Sequence, residues 1–237
     1  MNYAIIAAGE GSRLAQEGIS QPKPLVKLHG EAMIDRLIRI FTAHGATSIT
    51  VIINVHMPAL AEHLRRQKFC VPFKLIEAST PSSMHSFHVL AKHLPPGKFC
   101  LTTVDTIFQE MPFADFIHRF KQDDQLDGYF AVTSFIDDEK PLYVRTDEEM
   151  TIQGFYDQAY EGAHFISGGI YCLHTSSALQ ILADQIAAGN ARMRNYQRAL
   201  ISAGLRIKAH AFEKIIDVDH AADIETALSM LTKEEQL

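Results

Sequence analysis

The chain has 237 residues, of which 47% are hydrophobic and 21% charged, and a formal net charge of −6. This composition fits a globular fold with a sizeable core, and the negative balance, without any lysine or arginine cluster, disfavours general nucleic-acid binding. No apolar run approaches the roughly 18 residues of a membrane helix, and the N-terminus carries no basic leader with a small-residue cleavage site. Cys70, Cys100 and Cys172 are odd in number and far apart, which fits neither a disulfide framework nor a zinc knuckle. A cytoplasmic protein that does not engage membranes is the expectation. The twelve histidines are scattered, and close pairs such as His85 and His88 read as packing or surface residues.

Strand and helix signals alternate from the first residue. The run "NYAIIAA" (2–8) has the length of a buried strand. The stretch 31–45 is a helix with Met33, Ile34, Leu37, Ile38 and Phe41 on its apolar face, Arg36 and Arg39 opposite, and Gly45 as its stop. Strands at 48–54, 72–78 and 98–105 follow, separated by helices at 58–67 and near 83–94. This alternation predicts an α/β fold with a doubly wound, mostly parallel sheet. After residue 125 the pattern turns to strands at 127–135, 141–147, 150–157 and 164–173, the middle two forming a hairpin. Helices near 176–188 and 191–203, strands 206–212 and 214–219, and a helix at 220–232 close the chain. No linker, repeat or low-complexity segment interrupts it, so one domain with a small β insertion is the economical reading.

The first strand empties into Gly9-Glu10-Gly11-Ser12-Arg13, and the next fixed feature is Pro22-Lys23-Pro24. Glycines after a strand let backbone N–H groups approach phosphate oxygens. Arg13 offers a guanidinium fork, Ser12 a hydroxyl donor, and the two prolines stiffen the chain around the Lys23 ammonium without a helix. Two other phosphate loops are excluded. The dinucleotide fingerprint requires a third glycine where Leu14 stands, and the P-loop's Gly-Lys-Ser/Thr is absent.

Together, "AAGEGSRL" (7–14) and "QPKPLVKLHGEAMIDRLI" (21–38) resemble the signature of the nucleotidyltransferases that activate sugar-1-phosphates and phospho-alcohols. The resemblance implies a Rossmann-like three-layer α/β/α sandwich spanning residues 1–237, with a nucleotide-binding half (1–125) and an acceptor-binding half (126–237). It also implies transfer of a nucleoside monophosphate from a nucleoside triphosphate to a phosphorylated small molecule, with release of pyrophosphate. By the same resemblance Ala7, Ala8, Gly9, Gly11, Ser12 and Arg13 line the triphosphate, and Lys23 and Arg13 act where charge develops.

Bringing two anions together calls for a divalent cation, and Mg2+ takes oxygen ligands from one or two carboxylates plus phosphates. Asp105 ends an apolar strand at the carboxyl edge of the sheet. Asp217 and Asp219 stand at a second strand end, on one side by period-two geometry. Asp105, Asp217 and Asp219 match the family's metal positions, with Asp217 preferred over Asp219, although both late aspartates also suit helix capping before Asp223. Ser82 and Ser83 stand where relatives contact the nucleobase and read equally well as a helix cap. On the acceptor side the resemblance implies Asp157, Ser167 and Gly169: Gly169 matches, Asp157 takes the acidic position where glutamate followed by Lys-Pro is usual and Gln158-Ala159 departs from it, and Ser167 stands where asparagine is common, the glycines also being readable as a β-bulge.

The leading expectation is a Mg2+-dependent nucleotidyltransferase for a sugar-1-phosphate. A cytidylyltransferase for a phosphorylated small alcohol such as phosphocholine remains beside it, as does a nucleotide-binding regulatory protein without turnover. The nucleobase, the acceptor and the formation of a homo-oligomer stay open.

Overall fold

The computed structural model describes residues 1–137 and 139–234. In chain order its first half contains β1 (Asn2–Ala7), α1 (Ser12–Gln16), a single 3-10 turn (Lys23–Leu25), β2 (Lys27–Leu28), β3 (Glu31–Ala32), α2 (Met33–Ala43), β4 (Ser48–Ile53), α3 (Pro58–Arg66), β5 (Phe73–Glu77), α4 (Ser83–Ala91), β6 (Lys98–Thr103), β7 (Thr106–Ile107) and α5 (Glu110–Gln122). The second half contains β8 (Gly128–Thr133), β9 (Tyr143–Thr146), β10 (Ile152–Tyr156), β11 (Phe165–His174), α6 (Thr175–Ala187), α7 (Met193–Ser202), β12 (Ile207–Phe212), β13 (Ile216–Asp217) and α8 (Ala221–Glu234).

A nine-stranded sheet carries the molecule. β5, β4, β1 and β6 run parallel side by side. β11 joins β6 antiparallel and also pairs with β8, to which β12 is added in parallel. The β9–β10 hairpin leans on the N-terminal end of β11.

Three layers follow from the alternation of side chains along β1. Tyr3, Ile5 and Ala7 face a core completed by α2, α3, α5 and α8, whereas Ala4 and Ile6 face one built with α4, α6 and α7. A strand covered on both faces has no polar side, which is why the sequence shows an unbroken apolar run there.

Four departures from the sequence reading have physical causes. No helix was expected between 105 and 127, yet α5 lies there. Pro112 masks its pattern but falls in the first turn, where the missing N–H breaks no intrahelical bond. Arg36 is buried rather than on the polar face of α2, donating to the Phe108 carbonyl at 2.7 Å with its guanidinium 5.6 Å from the Phe108 ring centroid. The strand expected at 214–219 shrinks to β13, which pairs with β7 outside the main sheet. Cys100 and Cys172, distant in sequence, lie directly opposite each other on β6 and β11 as free, buried thiols.

Among the described residues no helix is long and apolar enough to cross a membrane. The densest aromatic packing sits under α5, where Phe113 stacks on Phe41 and Phe108 with centroids 5.7 Å and 4.7 Å away. Phe113→Ala is expected to lower stability by about 3–5 kcal/mol in urea unfolding followed by fluorescence or circular dichroism.

Candidate functional site

Order 5-4-1-6 in the parallel part of the sheet means that the chain leaves β1 toward β4 and later returns to its other side as β6. The crevice at such a reversal, outside the carboxyl ends of the strands, is where open α/β sheets bind ligands. Here it lies between the loop after β1, with Ala8, Gly9 and Gly11, and the turn after β6, with Asp105.

The loop after β1 is shaped at Gly11. Its φ of 64° is left-handed, and a Cβ built on it would stand 2.8 Å from the Lys23 Cβ. At Gly9 a Cβ meets nothing within 4 Å, so the tight approach expected of both glycines is confined, within the protein, to Gly11. Asn54, at the end of β4, steadies the loop by donating to the Ala8 carbonyl at 3.4 Å. Ser12 opens α1, and buried Leu14 anchors that short helix to the core.

Lys23 is only 7% exposed. Pro22 and Pro24 do hold it, but within a turn of 3-10 helix rather than an extended segment. Its Nζ contacts the Asp105 carboxylate and donates to Asp219 Oδ1 at 2.7 Å. Burial pushes the ammonium pKa down, but the carboxylates of Asp105 and Asp219 outweigh it, so the net shift is upward and Lys23 stays charged. Asp219 Oδ2 accepts from Arg13 at 2.9 Å. One lysine and one arginine from the start of the chain, an aspartate from its middle and another from near its end thus meet at one point.

Asp217 reaches the same crevice by another route. Antiparallel pairing of β13 with β7 sets Asp217 opposite Thr106, whose hydroxyl donates to Oδ1 at 2.9 Å. Period-two geometry does not carry on to Asp219. The strand stops at Asp217, and the backbone turns so that the Asp219 amide donates to the Asp217 carbonyl at 3.0 Å. The two carboxylates therefore have different partners, Thr106 for one and Lys23 with Arg13 for the other. Asp217 lines the cleft and its side chain is open to solvent. Crowding by protein there, and next the charge of Asp105, raise its pKa to about 7.

Crowding of Asp105 and Asp217 is the arrangement a divalent cation relieves, and two carboxylates completed by phosphate oxygens suit Mg2+. Among the described residues no group of three His, Cys, Asp or Glu is placed to hold a metal ion. Asp105 and Asp217 could supply two such ligands, whereas both oxygens of Asp219 are engaged by cations.

A cleft of about 220 Å³ adjoins this cluster and is lined by Arg13, Asp217, Asp219 and Asp223 together with Ser167, Gly168 and Phe135; Lys23 and Asp105 are not among its lining residues. Gly169 makes the bulge that shifts the β8–β11 register between Ser167 and Tyr171. Its φ is +73°, and a Cβ there would stand 3.2 Å from the Thr106 hydroxyl. Asp157 is in an adjoining groove, paired with Arg194 and, at 2.7 Å, Arg198. Ser82 and Ser83 lie at the same sheet edge after β5, where the Ser82 hydroxyl caps α4 by accepting from the His85 amide at 3.3 Å. Neither serine lines the cleft.

Several contributors carry little sequence signal. Glu17 caps α8, accepting from the Ala221 amide and contacting His220 Nδ1, each at 2.6 Å, and so ties the first loop to the last helix. Thr106 and Gln197 likewise act through partners far along the chain. Arg194 and Arg198 were discoverable in principle, since an i,i+4 pair shares one helix face.

Residues 3–200 match the family model for the MobA-like NTP transferase domain. The chain belongs to this family. A mannose-1-phosphate guanyltransferase of Schizosaccharomyces pombe is 28% identical over 187 residues, 74% of this chain and 50% of the relative. A bifunctional IPC transferase and DIPP synthase of Thermococcus kodakarensis is 32% identical over 116 residues, 48% of this chain and 25% of the relative. The chain therefore spans half or less of these curated relatives. In fold it is similar to the inositol-1-phosphate CTP transferase from T. maritima, with a TM-score of 0.80 at 15% identity over 99% of this chain and 96% of that one. The Rossmann-like sandwich of this NTP transferase domain is thus shared across its length.

Gly11→Ala drives a methyl group into Lys23, and turnover is expected to fall at least about tenfold by steady-state kinetics, since small displacements of a positioned group are costly. A carboxylate whose pKa is raised on folding stabilises the folded state only while protonated. That contribution is complete below the unfolded value of 3.8 and is lost as the pH rises through about 7. Asp217→Asn should therefore melt higher than wild type at pH 8 without divalent ions, with the difference shrinking toward pH 4.

Proposed function

We propose that this chain transfers a nucleoside monophosphate from a nucleoside triphosphate to a small phosphorylated acceptor, either a sugar phosphate or a phospho-alcohol, and releases pyrophosphate. The observation that carries this reading is the meeting of Lys23, Arg13, Asp105 and Asp219 at the mouth of the glycine-containing loop, beside Asp217. Family membership and the printed activities of the relatives support it.

The chemistry needs no protein nucleophile. The acceptor's phosphate carries close to two charges near neutrality, its second pKa being about 6. One of its oxygens bonds to the α-phosphorus while the bond from that phosphorus to the bridging oxygen breaks, and the electron pair leaves with pyrophosphate. Catalysis reduces to alignment and to offsetting charge. Lys23 and Arg13 supply fixed positive charge, and the triphosphate competes with Asp219 for both. Asp105 and Asp217 would hold Mg2+, which when bound offsets phosphate charge. The two halves of the chain then divide the work, residues 1–125 with Ser82 and Ser83 toward the nucleotide and residues 126–237 toward the acceptor.

On the acceptor side Ser167 faces the cleft and Gly169 shapes the bulge beside it. Asp157 acts through its arginines. Two guanidiniums share its single carboxylate, and with Arg192 and Lys140 they leave the groove net positive beside a cleft whose substrates are anions. The finer assignment to a sugar-1-phosphate rests on the match of Gly169, with Ser167 taking the place where asparagine is common.

Pyrophosphate release should be measured with ATP, CTP, GTP and UTP crossed against sugar 1-phosphates and phospho-alcohols in the presence of Mg2+. One pairing is expected to dominate, and Lys23→Met should lower its kcat by about 10²- to 10³-fold. Nucleotide binding without release from any pairing would favour the regulatory alternative.

A further inference from the structure

A fully buried hydroxyl beside the ion cluster takes no direct part in nucleotidyl transfer. Thr106 is 0% exposed, and its Oγ1 has two polar neighbours. It donates to Asp217 Oδ1 at 2.9 Å and stands 2.8 Å from Thr103 Oγ1. A threonine carries one hydroxyl proton, and an ionised carboxylate has none to give. While Asp217 is ionised, Thr106 therefore gives its proton to Asp217, and Thr103 must donate to Thr106. Three side chains form a hydrogen-bonded chain with a fixed direction.

The two ends of that chain are supported differently. Thr103 closes β6, and the residue beside it in the parallel sheet is Ile6 of β1. Asp217 lies on β13, which has two residues and pairs with the equally short β7 outside the main sheet. Its side chain is exposed, and an exposed carboxylate samples several rotamers unless a hydrogen bond selects one. Among the described residues the Thr106 hydroxyl is the one donor to that carboxylate, and Oδ2 accepts no hydrogen bond. Asp217 is thus tied through one oxygen to the end of a central strand and left open at the other.

Thr106 is itself held from further sides. It stands directly across from Asp217 in the β7–β13 pair, so the backbone sets the register of the two side chains. The bulge at Gly169 brings that residue against the hydroxyl, where a Cβ would stand 3.2 Å from Thr106 Oγ1 and 3.7 Å from Cγ2. Asp219 has no comparable support from a neutral donor, because Arg13 and Lys23 take its two oxygens.

We infer that Thr106, anchored by Thr103, is a positioning residue that holds the Asp217 carboxylate by Oδ1 and leaves Oδ2 free for the divalent cation; this rests on the reading of Asp105 and Asp217 as cation ligands and names what orients one of them. Hydrogen-bonded partners of ligating carboxylates are commonly worth about 10- to 100-fold in metal affinity or activity.

The test measures the affinity for the preferred triphosphate by isothermal titration calorimetry without acceptor, once with Mg2+ and once with EDTA. The ratio of the two affinities isolates the contribution of the cation. Thr106→Val and Thr106→Ala both remove the hydroxyl, so either one that folds carries the test, with folding checked by melting temperature in EDTA. Thr106→Ser keeps the hydroxyl, and Thr103→Val, at a half-buried position, removes only the anchor. The ratio is expected to fall about tenfold without the Thr106 hydroxyl and about threefold in Thr103→Val, and to stay within about twofold of wild type in Thr106→Ser. Affinity in EDTA should not move. In pyrophosphate release the same loss should appear as a higher Mg2+ requirement, with kcat at saturating Mg2+ retained. An unchanged ratio in the Thr106 and Thr103 variants, or a loss in Thr106→Ser as large as without the hydroxyl, overturns the inference, while pyrophosphate release by wild type leaves nucleotidyl transfer in place. A wild type that binds triphosphate no better with Mg2+ than with EDTA overturns the cation reading and the inference together.

Discussion

A buried ammonium held between two carboxylates, one from the middle of the chain and one from near its end, organises the crevice. Lys23 is placed by a proline-flanked turn, Asp105 by the turn that leaves β6, and Asp219 by the junction between β13 and α8. None of these segments is stable alone. Each has its backbone tied to a neighbour, as when the Val218 amide donates to the Asp105 carbonyl at 3.0 Å. The ion cluster is the meeting point of three separately supported loops, and charge balance among them keeps the lysine protonated despite its burial.

The surrounding architecture explains why such loops converge. Parallel strands present their carboxyl ends on one edge, and the reversal of strand order between β1 and β6 leaves a gap that no crossover covers. The antiparallel strand β11 enters from the other half and contributes Ser167 and Gly168 to the cleft. Arg13 and the late aspartates thus share one cleft with polar groups of β11. That arrangement suits a reaction joining two phosphorylated molecules, one gripped by fixed cations and the other recognised through its substituents.

Glu17 and Gln197 illustrate two ways in which residues without a motif shape a site. Glu17 satisfies an orphan amide at the start of α8 and so fixes the distance between the first loop and the last helix. Gln197 ties α7 to β11 by bonding both Ser167 and Tyr171. Both depend on side chains buried or capped by elements distant in sequence.

The sequence by itself determined the order and type of most elements, because hydrophobic period and length are local properties. Gly9, Gly11, Arg13 and Lys23 were legible for the same reason: they lie within fifteen residues of one another and carry an unusual composition. Asp105 was legible as a carboxylate following an apolar strand. Tertiary structure alone decided that Arg36 is buried, that Asp217 and Asp219 take different partners, and that Asp157 is bound by two arginines. These outcomes turn on contacts between segments up to about two hundred residues apart, whose spatial pairing no local pattern encodes. Pro112 concealed α5 because a proline inside an apolar period signals a break, and only the placement of the helix start shows that it costs nothing there.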